Sequence, residues 1–117
     1  MSLQYCVEKA RELLYSKGQF RLYAVITDKK GRIISESANS YTCTHPKQYR
    51  VAKRLGKPLK TFLHAEAAVL IKSRGKGCKL IVARVLADGS PANARPCNIC
   101  QAMIKLHGSI KSVEYSE

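Results

Sequence analysis

His64-Ala65-Glu66-Ala67-Ala68-Val69-Leu70-Ile71 and, thirty residues after Glu66, Pro96-Cys97-Asn98-Ile99-Cys100 are the stretches around which the chain is organised. The first reads as a largely buried helix over 64–74, ended by Gly75 and Gly77. The second reads as a helix over 96–106 with Pro96 in its first position, where a missing N–H costs nothing. His64, Cys97 and Cys100 supply one imidazole and two thiolates, borderline-to-soft donors that suit Zn²⁺. A structural zinc site usually takes four protein ligands, whereas three leave a position for water. Glu66, two residues from the histidine, is placed to exchange protons with that water.

The rest of the fold follows outward from these two helices. Residues 79–86 contain the continuous run Leu80-Ile81-Val82-Ala83, which suits a central strand covered on both faces. Residues 110–115 read as a further strand after the 96–106 helix, and strand, helix, strand implies a right-handed parallel crossover. Upstream, 20–27 and 32–38 flank Asp28-Lys29-Lys30-Gly31, an antiparallel hairpin whose Gly31 can take a positive φ. Residues 3–14 place Leu3, Cys6, Val7, Ala10, Leu13 and Leu14 on one helical face, with Gly18 as the stop. The expectation is an α/β protein. It is a three-layer α-β-α sandwich whose mixed sheet of about four strands combines an antiparallel hairpin with a parallel crossover.

The pattern H-x-E…P-C-x-x-C is a zinc deaminase signature, and the chain resembles the cytidine deaminase superfamily in its His-Ala-Glu branch. That branch includes deoxycytidylate, tRNA adenosine and polynucleotide cytosine deaminases. The resemblance covers about residues 3–116 and is specific at 64–66 and 96–100. It implies a compact cytidine-deaminase-like core, usually of five strands. It also implies a Zn²⁺ cofactor on His64, Cys97 and Cys100, with Glu66 as the catalytic proton shuttle. Asn39 resembles the asparagine that contacts the substrate sugar, and the Ala65 backbone N–H the group that reads the base carbonyl. The segment before Pro96, residues 87–95, looks long and carries no obvious reader of a particular base.

At 117 residues, 45% of them hydrophobic, one domain over 1–117 with a sizeable core is expected. Residues 1–17 mix charged and apolar types without a signal-peptide block, and the longest apolar run is too short to span a bilayer. A soluble cytoplasmic protein with no membrane association is the expectation, and a homo-oligomer is compatible with it. Five cysteines in no even framework argue against a disulfide-built secreted domain. Cys6 and Cys78 read as buried small hydrophobes and Cys43 as core or loop filler; His45 and His107 read as loop and helix-end residues. A lone C-x-x-C is also found in redox pairs and structural zinc knuckles, but neither needs His-Ala-Glu opening a helix upstream.

Lys and Arg number 21 against 8 Asp and Glu, a net charge of +13. Between 37 and 87, eleven basic residues face a single acid, Glu66. Thr44, Pro46 and Gly56 bound a short helix on which Lys47, Arg50 and Arg54 share one face while Val51 and Leu55 share another, core-facing one. Tyr41, Tyr49 and Phe62 interleave with these charges and could stack bases. Such a surface ordinarily signifies no more than a solvated face, yet its size and position beside the metal motif suit a phosphate-bearing partner. Three readings follow: a hydrolase deaminating cytosine in single-stranded nucleic acid, a deaminase of free (deoxy)cytidine nucleotides or nucleosides, and a non-catalytic zinc-stabilised binding module. Glu66 counts against the last. Adenine remains an alternative base, attacked at C6 rather than C4.

Overall fold

Residues 79–85 form the strand on which the sheet assembles. The computed structural model describes residues 3–12, 21–38, 46–55, 65–86 and 88–117; Asn39, Tyr41, Cys43, Thr44, His45, Gly56, Phe62, His64, Leu13, Leu14 and Gly18 lie outside them. In chain order the elements are α1 (Leu3–Arg11), β1 (Arg21–Thr27), β2 (Ile33–Ala38), α2 (Pro46–Arg54), α3 (Ala65–Lys72), β3 (Lys79–Val85), β4 (Pro91–Ala92), α4 (Asn98–His107) and β5 (Ser112–Tyr115).

β3 is antiparallel to β1 over its whole length, from Lys79 opposite Thr27 to Val85 opposite Arg21. Its other edge is shared: β5 runs parallel along Lys79 to Val82, and β4 runs antiparallel against Arg84 and Val85. β2 completes the sheet as the antiparallel partner of β1. The expected hairpin and parallel crossover are both present. The additional short strand, β4, lies in the segment read as a long loop. Pro91 is itself one of its two residues, and two paired residues are too few to leave a periodic signal. Ser116 stitches the three strands together. Its hydroxyl accepts the Arg84 N–H at 3.0 Å and donates to the Ala92 carbonyl at 2.6 Å, while its backbone N–H reaches Val82 O at 3.1 Å.

Strand alternation sorts the core into two faces. Val25, Ile81, Ala83 and Val85 pack with Cys6, Val7 and Ala10 of α1. Ala24, Ile26, Leu80 and Val82 pack with Ala65, Ala67, Val69 and Leu70 of α3, Ile99 and Met103 of α4, and Val51 of α2. The three layers are therefore α1, the sheet, and α3 with α4, with α2 laid against α4. Small side chains at Ala65, Ala67 and Ala68, all buried, let α3 lie close to the sheet. The turn into β3 needs Gly77: its φ is +92°, and an added Cβ would collide with the Ile26 side chain. Cys6 fills its expected core place at 0% exposure, its thiol donating to Tyr23 O at 2.9 Å, and burial pushes its pKa up to about 12.

Three boundaries differ from expectation for local reasons. α4 begins at Asn98 because Cys97, at φ −71° and ψ 172°, is extended and serves as N-cap; Pro96 thus precedes the helix and does not open it. α3 stops at Lys72, since Arg74 and Gly75 take the left-handed region with φ of 52° and 80°. Leu55 is 42% exposed and does not join Val51 in the core, because it follows the last helical residue of α2.

A polar clamp ties α1 to the hairpin. The Tyr23 and Tyr5 hydroxyls both donate to Oε1 of Glu36, at 2.5 and 2.8 Å. The Tyr23 bond, then the Tyr5 bond, hold the Glu36 carboxyl below its ordinary value against the opposing effect of burial. Tyr23→Phe is expected to lower stability by about 1.5–3 kcal/mol at neutral pH, as for a hydrogen bond to a charged group. Because the folded pKa is depressed, the stabilisation is fully present above the ordinary value of 4.5 and is lost as pH falls through the folded value. Denaturant titrations of both proteins across that window should converge at the acid end; a gap independent of pH would exclude Glu36 as the partner that matters.

Candidate functional site

Two helix starts meet where the sequence motifs lie. Ala65 is the first residue of α3 and fully buried, so its N–H belongs to the first turn and has no intrahelical acceptor. Glu66 follows in the same turn and is only 5% exposed. At the start of α4, Cys97 is half-buried and Cys100 fully buried. Cys97 caps α4 through its backbone, its carbonyl receiving the Gln101 N–H at 2.8 Å, and its thiol makes no cap hydrogen bond. The Gln101 side chain donates to Pro96 O at 2.8 Å and holds the chain entering the helix.

Glu66, Cys97 and Cys100 interact directly. The Cys100 thiol is pushed well above its ordinary pKa by its hydrogen bond with Cys97 first, then by burial, then by the charge of Glu66. A carboxylate and two sulfurs in one dry place each oppose ionisation of the others. The N-terminal dipole of a helix is worth about 0.3–1 kcal/mol to an acid, whereas desolvating a carboxylate costs several kcal/mol. Helix stability therefore gives no account of a buried Glu66. A divalent cation would reverse the balance, since a coordinated thiol ionises outright. The donor set fits zinc in this sense. Among the described residues these groups do not make up a three-ligand metal cluster by themselves; His64, the expected third ligand, lies outside them. So does Asn39.

The basic residues take a separate position. Arg50 and Arg54 are exposed on α2, while Val51 and Gln48 of the same helix are buried; Lys47 lies in α2, and its side chain is outside the described set. Arg50 and Arg54 do not stand over Glu66 and the cysteines. They line a cavity of about 500 Å³ against the far ends of α3 and α4, with Leu70, Ile71, Arg74, Met103, Leu106 and His107 among its walls. Arg74 was not singled out from sequence; the Arg-Gly pair closing a buried helix was the available signal. His107 ends α4 as expected, with Nε2 2.7 Å from Ser73 Oγ and Nδ1 2.9 Å from Ser109 Oγ, and burial lowers its pKa.

The family model of the cytidine and deoxycytidylate deaminase zinc-binding region matches residues 2–117. Comparison with curated proteins returns no match. Among the described residues, no helix is long and apolar enough to cross a membrane.

The burial order sets a reactivity order for the thiols. In protein freed of metal, a thiol-alkylating reagent at neutral pH should modify Cys97 well before Cys100 or Cys6, as read by peptide mass spectrometry. Equal rates at Cys97 and Cys100 would contradict the placement of Cys100 beneath the helix start.

Proposed function

This chain belongs to the cytidine and deoxycytidylate deaminase family, a family of zinc-dependent hydrolases, and from that premise we propose that it deaminates cytosine to uracil, in single-stranded nucleic acid. The observation that carries the reading is Glu66 buried beside Cys97 and Cys100 at the meeting of two helix starts. His64, Cys97 and Cys100 would hold the zinc ion. When bound, zinc supplies a Lewis acid that brings the pKa of water from ~15.7 towards ~7.

The chain's own groups do the rest. Glu66 takes a proton from the water attacking C4 and passes it to the adjacent ring nitrogen. It then delivers a second proton to the exocyclic amine, the C4–N bond breaks, and ammonia leaves, so that cytosine and water become uracil and ammonia. Glu66 is 5% exposed, a setting that keeps bulk water out of this exchange. The first-turn N–H of Ala65 is free of helical duty and available to the base carbonyl. Asn39 takes the sugar. Lys47, Arg50 and Arg54 take backbone phosphates, which position a strand without reading its sequence.

The strand is preferred over a free nucleotide because of charge. One phosphate needs two or three cations, and the chain carries a net +13 with eleven basic residues between 37 and 87. Assays against nucleosides, nucleotides and single-stranded oligonucleotides decide the substrate. Turnover of a mononucleotide far above that of any oligonucleotide would replace the strand reading with the free-nucleotide one.

Two variants test the chemistry. Glu66→Gln should keep zinc and fold while activity falls by about 10²–10⁴-fold. Near-normal turnover in this variant would remove Glu66 as the shuttle. Elemental analysis should find about one zinc per chain, and Cys100→Ala should lose most of it along with stability, since the metal ties α3 to α4. Full zinc content in Cys100→Ala would remove that residue from the ligand set.

A further inference from the structure

The cavity at the far ends of α3 and α4 is more than the absence of a neighbouring side chain. Its floor is apolar: Val51, Leu70 and Met103 are 7%, 4% and 7% exposed. Its rim carries three exposed arginines, Arg50, Arg54 and Arg74, and no carboxylate appears among its described lining residues. The last turns of α2, α3 and α4 all reach it. Each helix C-terminus contributes about half a negative charge. Three such ends favour cations, and Arg54 and Arg74 stand exposed beside them. Arg74, moreover, is the one non-glycine residue with positive φ among those described, at 52°. Such backbone is strained in an L-residue, and glycine would take the same turn more readily.

We infer that this cavity holds one nucleotide of a nucleic-acid strand, its phosphate on Arg54 and Arg74 at the rim and its base on the apolar floor. The inference rests on the strand-substrate reading above and places that strand on the protein. A volume of about 500 Å³ lies within the range of small-ligand sites, about 300–1,000 Å³, with room for a base and sugar. An apolar floor takes any base out of water without reading it, and arginines track a backbone without regard to sequence. Glu66 lies in the first turn of α3 and Arg74 just past its end, so the eight-residue helix, about 12 Å long, separates them. At about 3.4 Å per stacked nucleotide, the cavity takes a residue three or four positions from the target base.

The test uses labelled oligothymidylate of about twelve nucleotides, within the usual single-strand site size, which lacks the reactive base, so that anisotropy reports binding without turnover. Arg54→Ala/Arg74→Gly is the test protein, glycine being chosen to keep the positive φ at 74. Lys29→Ala/Lys30→Ala removes the same charge from the exposed hairpin turn, and Arg74→Lys keeps the charge. Two lost phosphate contacts should reduce the slope of log K against log salt by about 1.4 in the Arg54/Arg74 variant. The hairpin variant should hold the parent slope, and Arg74→Lys should stay close to it.

An equal loss in the Arg54/Arg74 and hairpin variants would overturn the site in favour of diffuse charge. Strand binding and turnover untouched by Arg54→Ala/Arg74→Gly would overturn it while leaving the proposed function standing. No strand binding by the parent protein would remove the strand substrate and this site together. Mononucleotide binding that depends on Arg54 and Arg74 would make the cavity a small-ligand site and overturn the strand.

Discussion

Everything in the described structure hangs from the hydrogen bonding of β3 along both edges. β1 takes one edge in full, and β5 and β4 divide the other. Leu80, Ile81, Val82 and Ala83 are at most 1% exposed, so neither face is open to water either. A strand with no free edge and no free face has one place in the fold, and its register sets the height of every helix packed on it. α4 leaves from the top of β3 by way of β4 and returns to the parallel β5. That route puts the start of α4 beside the start of α3, where the sulfurs meet the carboxylate.

This arrangement separates two kinds of energetics within the same pair of helices. At their starts, the helix N-termini favour negative charge, and the chain places a buried acid and two thiols there. Burying those groups works against stability, so their presence speaks for chemistry. At the other ends the dipoles favour cations, and Arg54 and Arg74 stand exposed there. One end suits the ionisation of sulfur and water, the other the attraction of phosphate. A strand lying along the helices would meet both.

The polar clamp on the opposite side of the sheet has a different role. Glu36 is held ionised by two phenols, and the result is attachment of α1 to the hairpin. Likewise Cys6, although a thiol near the strand centre, is pushed up to about 12 by burial and is inert beside the paired cysteines of α4. Position relative to the helix starts distinguishes a reactive acid or thiol from a structural one. Residue type alone does not.

By itself the sequence determined the layered α/β architecture, because hydrophobic periodicity is a local property written in consecutive residues. Residues 79–86 announced a doubly covered strand and 3–14 an amphipathic helix, and Asp28 to Gly31 announced a hairpin turn. It also named Glu66, Cys97 and Cys100, since spacing within one turn is likewise local. β4 was illegible, because two paired residues carry no period and owe their pairing to Ser116 and the free stretch of the β3 edge. The start of α4 moved past Pro96 because Cys97 is extended, a matter of one ψ angle that composition does not record. Leu55 looked like core on a helical wheel, but the helix ends before it, so the wheel no longer applies. Only the tertiary structure decided that Arg74 joins Arg50 and Arg54 around one cavity, twenty residues and a helix apart in the chain, because convergence of helix ends is set by packing on the sheet and not by neighbours in sequence.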